Sequence, residues 1–172
     1  MDWLEFGVQW LHVIVAIFWF GGTMFLDFVV MPTLHEAPPA SSRDFGRRLA
    51  PRMAMLMRAA ALIVIVLGVV RGIAWGPRNA AGTGFDFASQ YGMTWSLSIV
   101  LAIAIAAVGD GAIVRTMRKL YGDDALWSYA STGGPPPAAF SALTGRLRTW
   151  SIVQLVLFVA VFTCMILMRF GF

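Results

Sequence analysis

The hydropathy pattern of the chain is coarse: long apolar runs are separated by short polar connections. The first run extends from Phe6 to Met31, the second from Met53 to Trp75, the third from Met93 to Thr116 and the fourth from Trp150 to Phe170. Each run is continuously apolar rather than alternating, which excludes the strand pattern of a membrane barrel. Each is also long enough, at ~1.5 Å per residue, to cross a ~30 Å hydrocarbon layer as a helix. Pro32 is expected to stop the first helix and Gly76-Pro77 the second. The predicted fold is all-α: an integral membrane protein with a single transmembrane domain over 1–172, built as an antiparallel four-helix bundle.

Composition points the same way, since 59% of residues are hydrophobic and only 13% are charged, about half the usual globular share. The lipid bilayer is thus the principal partner. A net charge of +4 could suit nucleic acid, but the basic residues gather in two connections between apolar runs, so nucleic-acid binding is discarded. Thr33–Arg52 carries Arg43, Arg47, Arg48 and Arg52; Met117–Thr149 carries Arg118, Lys119, Arg146 and Arg148, with Arg115 at its edge. Pro77–Gly92 carries only Arg78. The positive-inside rule puts the two basic connections in the cytoplasm and both termini outside. Trp3, Trp10, Trp75 and Trp95 then fall near outer helix ends and Trp150 near an inner one, as in interfacial aromatic belts. A bacterial-type inner (plasma) membrane is the expected location. The first run follows an acidic start and lacks a small-residue cleavage pattern, so it reads as a retained helix. Leu126, Trp127 and Tyr129 suggest a short surface helix, followed by a stiff turn over Gly133-Gly134-Pro135-Pro136-Pro137.

Polar groups inside the runs are few and expensive in lipid, so each is a candidate for function. At about 100° per residue, Glu5, Gln9, His12, Trp19, Thr23 and Asp27 lie within about 60° of one direction, which predicts a polar stripe facing the bundle. Two layers follow. Near the inner ends, Asp27, Arg58, Asp110 and Gln154 share a depth, and Arg58 is expected to be shared between Asp27 and Asp110. This layer reads either as a bundle-locking salt bridge or as a proton or ion path, and Arg58 could instead snorkel to the interface. In the outer layer, His12 lies ~9 Å below the interface, with Arg71, Trp10, Trp75, Tyr91 and Met165 near its level. His12 reads as a metal ligand, a hydrogen-bonded bundle histidine or a proton-transfer group. Met165 and Met168 read as packing or as a second axial ligand, and Arg71 as a clamp for an anionic group or a snorkelling cation. Gly68 and Gly72, and Gly21-Gly22, allow close backbone approach or leave space for a flat cofactor. His35 reads as a solvated loop residue or a cytoplasmic metal ligand, and the lone Cys164 as a packing residue. Nucleotide-loop, zinc-protease, redox cysteine-pair and serine-elbow motifs are absent.

The first helix carries Trp10-Leu11-His12, then Trp19-Phe20-Gly21-Gly22 and Phe25, and ends at Met31-Pro32. It resembles the opening helix of two related membrane groups, the copper-resistance D family and the HemJ-type protoporphyrinogen oxidases. The resemblance implies a haem b ligand at His12, whereas the further His and Lys of the later helices in HemJ-type proteins have no counterpart here. The copper-resistance resemblance implies copper passage, but Met53, Met55 and Met57 alternate and do not share one helix face.

The function expected from these readings is a haem-b-binding membrane redox protein. It would transfer electrons or oxidise a lipophilic donor such as a porphyrinogen or quinol, with His12 as metal ligand and Arg71, Trp19 and Met165 completing the cofactor site. With one such histidine per chain, the iron would be five-coordinate or shared across a homodimer. The alternatives are a copper or other small-solute transporter gated by the inner layer, and a structural subunit of a membrane complex.

Overall fold

The computed structural model describes residues 2–170, apart from the side chain of Thr132. In chain order, α1 is Trp3–Phe25, followed by a π-helical turn Leu26–Val30 and α2, Met31–Glu36. Helix α3 is Pro39–Trp75, and α4, Gln90–Val108, leads through a second π-helical turn, Gly109–Val114, into α5, Arg115–Gly122. A 3-10 turn at Ala125–Trp127 and the short α6, Tyr129–Thr132, precede α7, Ala138–Phe170. Among the described residues the only β pairing is an isolated bridge between Arg78 and Phe85.

These elements form four continuous rods of 34, 37, 33 and 33 residues that are long and apolar enough to cross a membrane. The protein is an all-α, four-helix integral membrane protein. At ~1.5 Å per residue each rod is about 50 Å or longer, well beyond a ~30 Å hydrocarbon layer, so the helices outrun the apolar segments of the sequence. Large apolar side chains such as Ile17 at 62%, Leu62 at 63%, Val100 at 63% and Val156 at 61% exposure cover the outward surfaces. In water this would be an unusually large apolar surface; in a bilayer it is the solvated one.

Helix starts and stops depart from the expectations of the sequence. Pro32 does not end the first rod, which continues to Glu36. The π-helical turn just before it shifts the hydrogen-bond register, relieving the clash that a proline ring makes with a carbonyl one turn back. Helix α3 likewise starts at Pro39 rather than Met53 and carries Pro51 in its interior. The first two rods are joined only through Ala37 and Pro38, with Ala37 extended as the residue before a proline favours. Ser42 fixes this turn by donating to the carbonyls of Leu34 at 2.5 Å and Ala37 at 3.3 Å.

The chain divides into two compact units. The first comprises the residues up to Phe20, Ala59–Ala106 and those from Leu155 onward; the second comprises Gly21–Arg58 and Ala107–Gln154. The first unit packs Trp19, Phe20, Phe158 and Phe162 edge to face, with Trp19 and Phe158 centroids 5.1 Å apart. Its loop packs Phe85 against Phe87, Tyr91 and Trp95. The second unit has a small core of Ala50, Met117, Leu120, Tyr121, Leu126, Trp127 and Leu147. Helix α5 contributes to it because Thr116, Met117, Leu120 and Tyr121 share one helical face, leaving Arg118 and Lys119 outside. Trp127 ties this core together by donating its indole N–H to the Leu120 carbonyl at 2.6 Å.

Candidate functional site

The polar stripe of the first rod does face inward: His12, Trp19 and Thr23 are buried, and Glu5, Gln9 and Asp27 are half-buried. In the first unit, His12 is 9% exposed, and its Nδ1 lies 3.0 Å from the Val64 carbonyl oxygen of α3. A carbonyl only accepts, so Nδ1 carries the proton and donates, and Nε2 keeps its lone pair. Nε2 makes no hydrogen bond to a described residue. Gly68 makes room for this ring, since a Cβ there would stand 3.2 Å from His12 Cε1. Gly72, one turn on, makes room for Trp95, whose indole donates to the Gly68 carbonyl at 3.1 Å. The two glycines of α3 therefore admit side chains, not a neighbouring backbone.

Arg71 lies on the same helix, beyond Gly68. Its Nη1 donates to the Tyr91 hydroxyl at 3.1 Å, and its Nη2 is 4.0 Å from Glu5 Oε1. Its Nε is buried without a hydrogen-bond partner among the described residues. Close to this cluster, the Trp75 indole donates to Asp2 Oδ2 at 3.0 Å. That bond and one from the Leu4 amide hold the Asp2 carboxyl below the usual carboxylate range. Trp19 is packed against Phe158, two helical turns from His12, and Met165 is half-buried on α7. Among the described residues, Met165 makes no hydrogen bond to the imidazole.

The second unit separates the groups that the sequence grouped as one layer. Arg58 forms a bidentate pair with Asp110, Nε to Oδ2 at 2.7 Å and Nη2 to Oδ1 at 2.9 Å. It is not shared with Asp27, which instead accepts from the Ser151 hydroxyl at 2.9 Å and has no cation within 4.0 Å among the described residues. Of the two carboxylates, Arg58 therefore meets Asp110 alone. Gln154 stands beside Gly109, where an added Cβ would be 3.2 Å from its Nε2. Asp27 and Asp110 each sit in a π-helical turn, Leu26–Val30 and Gly109–Val114, a backbone feature that recurs at functional sites. The sequence reading missed Ser151 as a partner, although it lies one turn before Gln154 and so shares its helix face. Thr23 and Gly22 pack on the Met57 thioether, with Thr23 Oγ1 3.9 Å from Met57 Sδ. His35 belongs to helix α2 rather than to a loop, and its Nδ1 is 2.7 Å from the Met31 carbonyl. Cys164 is buried and free.

Among the described residues, no three His, Cys, Asp or Glu side chains gather where they could hold a metal ion. A macrocycle whose own nitrogens hold the metal needs only an axial ligand from the chain, and the outer-end cluster offers one. His12 has a free ring nitrogen with its other nitrogen anchored, the usual arrangement behind a metal-bound imidazole. Arg71 has an unpartnered buried N–H that fits an anionic substituent. Imidazole and guanidinium are the donor types that one side of a haem would use. Comparison with known proteins gives no match: no family model, curated protein or solved structure matches the chain.

Proposed function

We propose that the protein is a haem-b-binding redox protein of a bacterial-type inner membrane, which transfers electrons or oxidises a lipophilic donor of the porphyrinogen or quinol kind. The observation that carries this reading is the His12 imidazole, fixed through Nδ1 to the Val64 carbonyl at 3.0 Å with Nε2 left free. Arg71, through its unpartnered Nε, would hold a propionate. Bound haem would supply one-electron exchange between ferric and ferrous iron. The chain's own part is to fix the imidazole tautomer, to exclude water from His12, and to hold the anionic edge near the outer surface. His12 is the ligand that this chain would offer to the iron, directly or across a homodimer.

Protein expressed with haem supplied and purified in mild detergent should show a Soret band and a dithionite-minus-oxidised difference spectrum. His12→Ala should abolish both, and Arg71→Gln should weaken haem retention about ten- to a hundred-fold, as for the loss of a charge-assisted partner. Colourless protein under these conditions, with normal folding, defeats the reading.

A second reading, small-solute or copper transport, is favoured by two acidic side chains seated in π-helical turns of membrane helices, Asp27 and Asp110. Transport measured in proteoliposomes should then survive His12→Ala and fail in Asp110→Asn.

A further inference from the structure

The Arg58–Asp110 pair poses a problem that a single chain does not solve. Arg58 lies six residues inside Arg52, and Asp110 five residues inside Arg115, which puts both about 8–9 Å beneath the basic cytoplasmic boundary, within hydrocarbon. Yet the side chains are 56% and 41% exposed. The bidentate contact uses two of the five guanidinium N–H groups and one lone pair on each carboxylate oxygen. The remaining donors and acceptors have no partner among the described residues, and lipid tails against the exposed side chains provide none.

A phospholipid headgroup is a poor occupant. Its phosphate could accept from Arg58 and an ethanolamine ammonium could donate to a carboxylate, but both sit above the pair, and the short side chain of Asp110 cannot reach the interface. A second copy of the chain offers both side chains a partner. Across a two-fold axis the same patch presents its carboxylate to Arg58 and its guanidinium to Asp110, closing a ring of alternating charges. The surroundings of the pair permit that approach. Ala107, one turn before Asp110, is exposed, and a Cβ at Gly111 would meet open space. Met55, one turn before Arg58, is 64% exposed and supplies an adaptable apolar rim.

We propose that the face bearing Arg58, Asp110, Ala107 and Gly111 is the interface of a two-fold homodimer, held by a four-charge ring across the axis. This inference stands whether or not His12 binds iron, because it rests on a different set of residues.

The test is the subunit count of full-length protein in liposomes at several protein-to-lipid ratios, read by single-molecule photobleaching, with site-directed crosslinking alongside. Wild type should be dimeric. Arg58→Leu with Asp110→Leu, which exchanges the pair for apolar residues and so preserves folding, should lower the dimer fraction at least ten-fold. Exchanging the two charges, Arg58→Asp with Asp110→Arg, should restore it. In a Cys164→Ser background, Ala107→Cys should crosslink to its partner copy, whereas Val156→Cys on α7 should not. A monomeric wild type, a dimer that persists in the double-leucine variant, or equal crosslinking at both positions overturns the proposal. A monomer that retains a phospholipid only when the charge pair is present would overturn it in favour of a lipid site.

Discussion

An imidazole enclosed among helices has two nitrogens to satisfy, and in this protein a backbone carbonyl satisfies one of them. Because Val64 O can only accept, the tautomer of His12 is fixed by the fold rather than by solvent. The same logic distinguishes the two intramembrane acids. Asp110 is neutralised by Arg58, whereas the hydrogen-bond partner of Asp27 among the described residues is the uncharged hydroxyl of Ser151, so the two carboxyls have different chemistry. Outside the membrane segments, Asp2 is held below the usual carboxylate range by the Trp75 indole and the Leu4 amide. A carboxyl whose folded pKa is depressed contributes stability above its unfolded pKa, and that contribution disappears as the pH falls through the folded value. Trp75 emission should therefore change only at pH values below the ordinary carboxylate range, and Asp2→Asn should remove that acid transition. Superimposable acid titrations of wild type and Asp2→Asn would show that this bond is not formed in solution.

At the scale of helices, the glycines sort by what their missing side chains admit. A Cβ on Gly72 would overlap the Trp95 indole, while one on Gly21 meets nothing within 4 Å. Gly72→Ala should accordingly destabilise the protein by about 1–3 kcal/mol through overpacking, and Gly21→Ala should be neutral or stabilising by up to about 1 kcal/mol through helix propensity. Thermal unfolding of the two variants in detergent checks the contrast, and equal melting temperatures would mean that the aromatic packing around Trp95 is looser than it stands. The existence of four helices and the inward direction of the His12 stripe were legible in the sequence, because both depend only on which residues are apolar and at what period they recur. The π-helical turns were not, since a change of hydrogen-bond register leaves no mark on hydropathy. For that reason Pro32 reads as a terminator in the sequence, yet it follows a turn that lets the helix continue. The partners of the candidate site were half legible: periodicity turned His12 and Asp27 inward, but the choice of Ser151 over Arg58 depends on side-chain geometry that spacing does not fix.

For the molecule as a whole, membrane orientation rests on the asymmetry of its basic connections, and the extra helix length gives that asymmetry a structural counterpart. Helix α3 begins fourteen residues before Met53, and α7 begins twelve before Trp150; these polar helical stretches read as loops in a hydropathy pattern because nothing in them is apolar enough to span. They carry Arg43, Arg47, Arg48, Arg52, Arg146 and Arg148, and they belong to the unit whose core is built on Trp127 and Tyr121. Its Arg43 is ion-paired with Asp124 and its Arg48 with Asp44, so part of the basic charge is structural and the remaining arginines carry the orientation signal. The charge rule then requires this unit's loop ends to face the cytoplasm and the Pro77–Gly92 connection to face outside. In a Cys164→Ser background, Ser141→Cys should be shielded from a membrane-impermeant thiol reagent in intact cells and labelled only after permeabilisation, while Ala81→Cys should label in intact cells. Both positions are exposed in the fold, so a difference in labelling reports the side of the membrane rather than burial. The reverse pattern would invert the protein, placing His12 and Arg71 near the cytoplasmic face and moving any electron donor to that side.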